Sequence, residues 1–129
     1  DGMGASLLLN NNFIVAMITS EYENIDILNA RAKKLNIQEV YTNEKNKLLR
    51  IEYLMKKHNL KRENIAYIGD DINDLDALKC AGLSAAPPNT PILNYFKPDF
   101  ITTRKSGQGS FRDLSDLILK AQNIKIIFK

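Results

Sequence analysis

The fold is decided by residues 65–78, IAYIGDDINDLDAL. Ile65 to Gly69 form an apolar run of strand length. Asp70 and Asp71 follow at once, and Asp74 and Asp76 come within the next one or two helical turns. Carboxylates this close repel, and each raises the cost of ionising its neighbours. A chain that places them where a buried strand ends needs something positive there.

Working outward, the same alternation recurs. FIVAMI (Phe13–Ile18), QEVYT (Gln38–Thr42), NIAYIG (Asn64–Gly69), LSAAP (Leu83–Pro87) and DFITT (Asp99–Thr103) read as strands. Their hydrophobicity is continuous rather than alternating, which predicts strands covered on both faces, as in parallel sheets. Helices are expected between them. GASLLLNNN precedes the first strand. ENIDILNARAKKL sets Ile25, Leu28, Ala32 and Leu35 at helical spacing. NKLLRIEYLMKKHN does the same with Leu48, Ile51 and Met55, and ends in a basic last turn that suits the helix dipole. NDLDALKCAG stops at Gly82, read as a C-terminal cap. SFRDLSDLILKAQ opens on Ser110 with Asp113 three residues on, close to a capping box. The prediction is one α/β domain over residues 1–129, with a Rossmann-like, doubly wound, mostly parallel sheet. APPNTP is a loop, and the tail NIKIIFK reads as a sixth strand, a partner contact or a disordered end.

Bulk composition narrows the classes. The chain has 129 residues, 44% hydrophobic and 26% charged, as in an ordinary globular domain. The net charge is +3, but the basic residues are scattered and not interleaved with aromatics, which argues against nucleic acid. No apolar run approaches the roughly 20 residues of a membrane helix, so no membrane role is expected. A single cysteine, Cys80, excludes an internal disulfide and fits a reducing, cytoplasmic setting. Cys80 reads as a small core residue, and His58, at a helix end, as exposed.

In open α/β sheets ligands bind outside the carboxyl ends of the strands. The first strand ends at Thr19 and Ser20 and the third at Asp70 and Asp71, while the helix after the second begins near Lys47. These positions are expected to converge on one rim. A hydroxyl, an ammonium and a carboxylate cluster suit a phosphate-plus-magnesium site, since Mg²⁺ takes one or two carboxylates, waters and a substrate oxygen. Asp74 would hold the waters of the metal or orient Lys47. Each residue also has a plainer reading. Thr19 could cap a helix, Lys47 could be a solvated surface residue, and Asp74 could sit in a first turn favoured by the dipole. An EF-hand fails, because no glycine stands at the sixth position of any register through the acidic run. The order Thr19, Lys47, Asp70 also separates this chain from phosphoryl-accepting receiver domains, where the acidic pair comes first and the lysine last.

That order resembles motifs two, three and four of the haloacid dehalogenase-like phosphatases. DGMG, VAMIT, NEKNKL, IAYIGDDINDLDALKCAGLSAAPPN and KSGQGSFRDL together resemble the cap-less branch. It holds KDO 8-phosphate phosphatase, KDN 9-phosphate phosphatase and the C-terminal domain of some CMP-acylneuraminate synthetases. The likeness extends to about Gln122. It implies a Rossmann-like fold, usually a homotetramer, with Thr19 and Lys47 gripping phosphate, Asp70 and Asp71 serving magnesium and Asp74 in support. It makes Ser20, Glu21 and Arg112 the substrate-binding candidates, with Glu21 at the place of a glutamate found in the sialic-acid-type members. Ser106 departs from the usual Gly-Gly-x-Gly, but Gly107 and Gly109 remain to turn the loop.

The family's first motif, Asp-x-Asp on an apolar strand, is not upstream of DGMG here. Its first aspartate is the nucleophile and its second the general acid/base. Since the sequence opens on Asp1 rather than Met, an N-terminal strand and hairpin are expected to be missing from it. The resemblance then implies, for the intact protein, a Mg²⁺-dependent phosphomonoesterase acting on a phosphorylated sugar acid, KDO 8-phosphate or a nonulosonate 9-phosphate. The alternatives are a catalytically silent assembly module, such as the C-terminal part of a cytidylyltransferase, and a phosphate or metal sensor without turnover.

Overall fold

A computed structural model describes residues 2–105 and 109–122. In chain order the elements are α1 (Gly2–Asn10), β1 (Ala16–Ile18), α2 (Ile25–Lys34), β2 (Glu39–Tyr41), α3 (Lys47–Lys57), β3 (Ala66–Ile68), α4 (Leu75–Cys80), β4 (Leu83–Ala86), β5 (Phe100–Ile101) and α5 (Ser110–Ala121), with 3-10 turns at Arg62–Asn64, Ile72–Asp74 and Pro91–Asn94. Two compact units result. One holds the described residues through Glu44 and those from Phe111 on, and the other is Lys45–Ser110. All strand pairings are parallel, β1 with β2 in the first unit and β3–β4–β5 in the second.

The core of the first unit is Ala5, Leu7, Leu8, Val15, Ala32, Ile37 and Leu119. On α2, Ala32 is buried and Ile25 and Leu28 are half-buried, as is Leu35 at its C-terminal cap, the face that 3.6-residue spacing predicts. In the second unit Leu78, Ala86 and Ile92 are buried, with Tyr67, Leu75, Leu93 and Phe96 packed on them. On α3, Ile51 and Leu54 are buried and Leu48 and Met55 half-buried. Asn46 caps that helix, its side chain accepting from Leu49 N at 3.2 Å.

One device ends three helices. Asn12, Asn36 and Asn59 all have left-handed backbones, with φ of 68°, 61° and 54°. After each, the next amide donates back to the last turn: Phe13 N to Leu8 O (3.0 Å), Ile37 N to Ala32 O (2.9 Å) and Leu60 N to Met55 O (2.8 Å). These are Schellman closures with an apolar residue following, and asparagine tolerates the left-handed region better than other non-glycine residues. The closure also explains why the first strand is shorter than expected. The Phe13 amide is spent on α1, so β1 begins only at Ala16. Likewise the Asn64 and Ile65 amides close the 3-10 turn onto Lys61 O and Arg62 O, and β3 begins at Ala66.

Other expectations change as well. Only β4, hydrogen-bonded on both sides, is buried along most of its length (Ser84, Ala85, Ala86); Ala16 and Ala66 are exposed. Gly82 is not a left-handed cap. The cap of α4 is Ala81, with extended backbone. A Cβ at Gly82 would lie 2.5 Å from Arg62 O and 2.8 Å from Glu63 Cα, so the glycine is needed for close backbone approach. Ser110 is the first residue of α5 rather than a residue preceding it. Cys80 and His58 are both half-buried. Ser106, Gly107 and the NIKIIFK tail lie outside the described residues.

Candidate active site

The second unit brings Lys47, Asp74 and the Asp70–Asp71 backbone together. Lys47 opens α3 and is 9% exposed; Asp74 ends the 3-10 turn after β3 and is 3% exposed. Lys47 Nζ donates to Asp74 Oδ1 at 2.7 Å. The Tyr67 hydroxyl donates to the same oxygen at 2.6 Å. Asp74 Oδ2 accepts from Asp70 N at 3.1 Å and from Asp71 N at 3.2 Å. Burial pushes the Asp74 carboxyl up, but the Lys47 and Tyr67 hydrogen bonds, the Lys47 charge and the Asp71 amide together hold it below its ordinary value of 3.8. Tyr67 is raised well above the usual phenol range, first by burial and then by Asp74, so it stays a neutral donor.

Local sequence explains the seat. Residues two apart on a strand share a face, so Tyr67 and Gly69 present the same side of β3 to Asp74. A Cβ at Gly69 would stand 2.6 Å from Asp74 Cβ and 2.7 Å from its Cγ, so only glycine admits the carboxylate there. Tyr67 and Gly69 were not among the residues singled out from the sequence. Their signal is the Tyr-x-Gly spacing directly ahead of the acidic run.

Asp74 therefore orients its neighbours rather than facing solvent. Asp70 is different: it is exposed, while its backbone is pinned by Asp74 Oδ2 at its amide and by Ile92 N, 3.3 Å from its carbonyl. That fixes the base of a carboxylate at the carboxyl end of β3. Asp71 caps the following turn, its Oδ1 accepting from Ile72 N at 2.7 Å. Among the described residues no three acids, histidines or cysteines cluster as a self-sufficient metal cage. The exposed Asp70 carboxylate, with that of Asp71 beside it in sequence, suits magnesium, which is satisfied by one or two carboxylates with waters and phosphate oxygens.

In the first unit Thr19 does not cap α2; Asn24 stands at that position. Thr19 Oγ1 accepts from Glu21 N at 3.1 Å, which leaves the hydroxyl proton for an acceptor. The segment is fastened by Thr19 N to Tyr41 O (3.0 Å), Glu44 N to Thr19 O (2.9 Å) and Asn43 N to Glu21 O (2.8 Å). Glu21 Oε1 accepts from Glu23 N at 3.0 Å. Ser20, between them, is half-buried. Arg112, the third residue of α5, pairs along its own helix with Asp116 at 2.9 Å. Gly109 has φ +105°, a turn conformation that suits glycine.

The profile of the haloacid dehalogenase-like hydrolases matches residues 8–92, which include Thr19, Lys47 and the Asp70–Asp74 run. The chain belongs to this family. Within these hydrolases it is 34% identical over 122 residues to the 3-deoxy-D-manno-octulosonate (KDO) 8-phosphate phosphatase of Salmonella typhi. The match covers 95% of this chain and 64% of that protein; the chain thus spans less than two thirds of the length of that curated relative. The Escherichia coli K12 enzyme of the same name is 33% identical over the same span. Among solved structures, the Moraxella catarrhalis KDO 8-phosphate phosphatase, in complex with magnesium, phosphate and KDO, has a TM-score of 0.88 at 36% identity, covering 95% of this chain and 69% of that one. The cobalt-bound Haemophilus influenzae phosphatase has a TM-score of 0.86 at 33% identity, covering 95% and 70%. The parallel α/β architecture is that of these Rossmann-like structures.

Proposed function

We propose that the intact protein is a Mg²⁺-dependent phosphomonoesterase acting on a phosphorylated sugar acid, with KDO 8-phosphate as its substrate. The observation that carries this reading is the buried Lys47–Asp74 pair (2.7 Å) seated beside the exposed Asp70 at the end of β3. The similarity to phosphatases of that name favours turnover over the silent-module and sensor alternatives.

In this reading Lys47, tethered through one ammonium hydrogen, keeps two more for phosphoryl oxygens. Asp70, with Asp71 beside it, would hold magnesium, which when bound supplies charge neutralisation at the phosphate. Phosphoryl transfer depends mostly on positioning and electrostatic stabilisation, and both are what a pre-set lysine and a backbone-fixed carboxylate offer. The resemblance assigns Thr19 a phosphate-directed hydroxyl and makes Ser20, Glu21 and Arg112 the candidates for the sugar acid. The attacking carboxylate belongs, by the resemblance, to the family's first motif, an Asp-x-Asp on an apolar strand, and activity is assigned to the full-length protein. We place it in the cytoplasm as a homotetramer. No helix of the described residues is long and apolar enough to cross a membrane.

The test is phosphate release by the full-length protein from KDO 8-phosphate with Mg²⁺. Asp70→Ala should reduce kcat by about 10²–10³-fold while leaving the fold intact. Full activity in that variant, or no release by the folded wild type, defeats the reading.

A further inference from the structure

We propose that Tyr67 is a positioning residue: its hydroxyl occupies one side of Asp74 Oδ1, so that the Lys47 ammonium has a single place to stand. A carboxylate offers about four lone-pair sites, two on each oxygen. At Asp74 four donors meet them. The Asp70 and Asp71 amides take Oδ2, and Tyr67 and Lys47 share Oδ1 at 2.6 and 2.7 Å. Three of these donors are rigid. Two are main chain, and the tyrosine ring is packed against the buried Leu78, Ala86 and Ile92 cluster of the core. Lys47, with four rotatable carbons behind its ammonium, is the mobile partner, and it receives the remaining site.

Without the hydroxyl a second lone pair opens on Oδ1. The ammonium can then slide onto it, or a water can enter. A misplacement of about 1 Å can cost about 10²-fold in rate, so a residue that never touches substrate can still govern the reaction. Tyr67 remains protonated through neutral pH, because burial raises it. Its contribution is therefore constant across the working range. The catalytic consequence rests on the phosphatase reading; the position of the ammonium rests on the geometry alone.

The experiment is Tyr67→Phe in the full-length protein, which removes one oxygen and keeps the ring. Three quantities are measured: solvent exchange of the Lys47 Nζ protons by nitrogen-15 NMR, inorganic phosphate affinity with Mg²⁺ by calorimetry, and kcat with KM. Exchange should quicken, phosphate affinity should fall about tenfold, and kcat should fall at least about tenfold, more than KM rises. An unchanged Nζ signal, with phosphate affinity within about twofold of wild type, overturns the proposal. If the wild type hydrolyses no phosphomonoester, the phosphatase reading fails, and the Nζ signal still decides the role of Tyr67. If the variant does not fold, the wild type's Tyr67 hydroxyl proton decides. A protected resonance with a nuclear Overhauser contact to the Lys47 Nζ protons supports the proposal, and free exchange with water overturns it.

Discussion

Replacing Gly69 with alanine should damage the site without adding or removing a charge. The new methyl would lie 2.6 Å from Asp74 Cβ, 2.7 Å from Cγ and 2.9 Å from Oδ2. Carbon atoms rest at about 3.5–4.0 Å, so the carboxylate must recede by roughly 1 Å. Its bonds to the Asp70 and Asp71 amides, 3.1 and 3.2 Å, are already at the long end of the hydrogen-bond range, and a retreat of that size breaks them. Losing either bond to the charged acceptor costs about 1.5–3 kcal/mol, and overpacking adds about 1–3 kcal/mol, so a loss of at least about 2.5 kcal/mol in all is expected. The sign is informative, because glycine to alanine with room to spare stabilises by about 0.4–1 kcal/mol. Urea unfolding gives the stability and calorimetry gives the phosphate affinity. Gly82→Ala, which meets Arg62 O at 2.5 Å, is the control: it should destabilise while leaving phosphate affinity unchanged in folded protein. A Gly69→Ala variant as stable as wild type, with normal phosphate binding, would refute the reasoning.

Lys47→Met should abolish Mg²⁺-dependent phosphate binding and cost about 3–5 kcal/mol, since it strips the partner from a buried carboxylate; unfolding and calorimetry read the two effects. The pH dependence follows from Asp74. Its folded value lies below the ordinary 3.8, so its stabilisation is present above that value and is lost as pH falls below it toward the folded value. Unfolding free energy should drop more steeply over that acid window in wild type than in Asp74→Asn. Asn36→Ala should cost about 1 kcal/mol, because a left-handed alanine is strained, whereas Asn36→Gly should be tolerated in the same melts.

How legible was the fold? The helical faces were, because Ile25, Leu28, Ala32 and Leu35 repeat at a spacing that only a helix gathers on one side. The strands were found but overextended, because apolar content does not tell a strand from the helix closure that feeds it. Phe13 and Ile65 look like strand residues and spend their amides on turns. The left-handed asparagines were visible as NNF, LNI and HNL, a signal easily read as ordinary loop polarity. At the site, chain order and the rule for strand ends pointed to Lys47, Asp70 and Asp74. Of the two roles expected for Asp74, holding the waters of the metal or orienting Lys47, the structure shows the contact to Lys47; how Asp74 is seated was not readable, because it depends on Gly69 making room and Tyr67 reaching over. A strand tyrosine looks like core until its hydroxyl has a partner.

The most direct test is a crystal of the full-length protein grown with Mn²⁺, as an anomalous stand-in for magnesium, and inorganic phosphate. The account predicts an anomalous peak within coordination distance of the Asp70 carboxylate, with a phosphate oxygen hydrogen-bonded to Lys47 Nζ. A peak elsewhere, or a phosphate out of reach of Lys47, would contradict it.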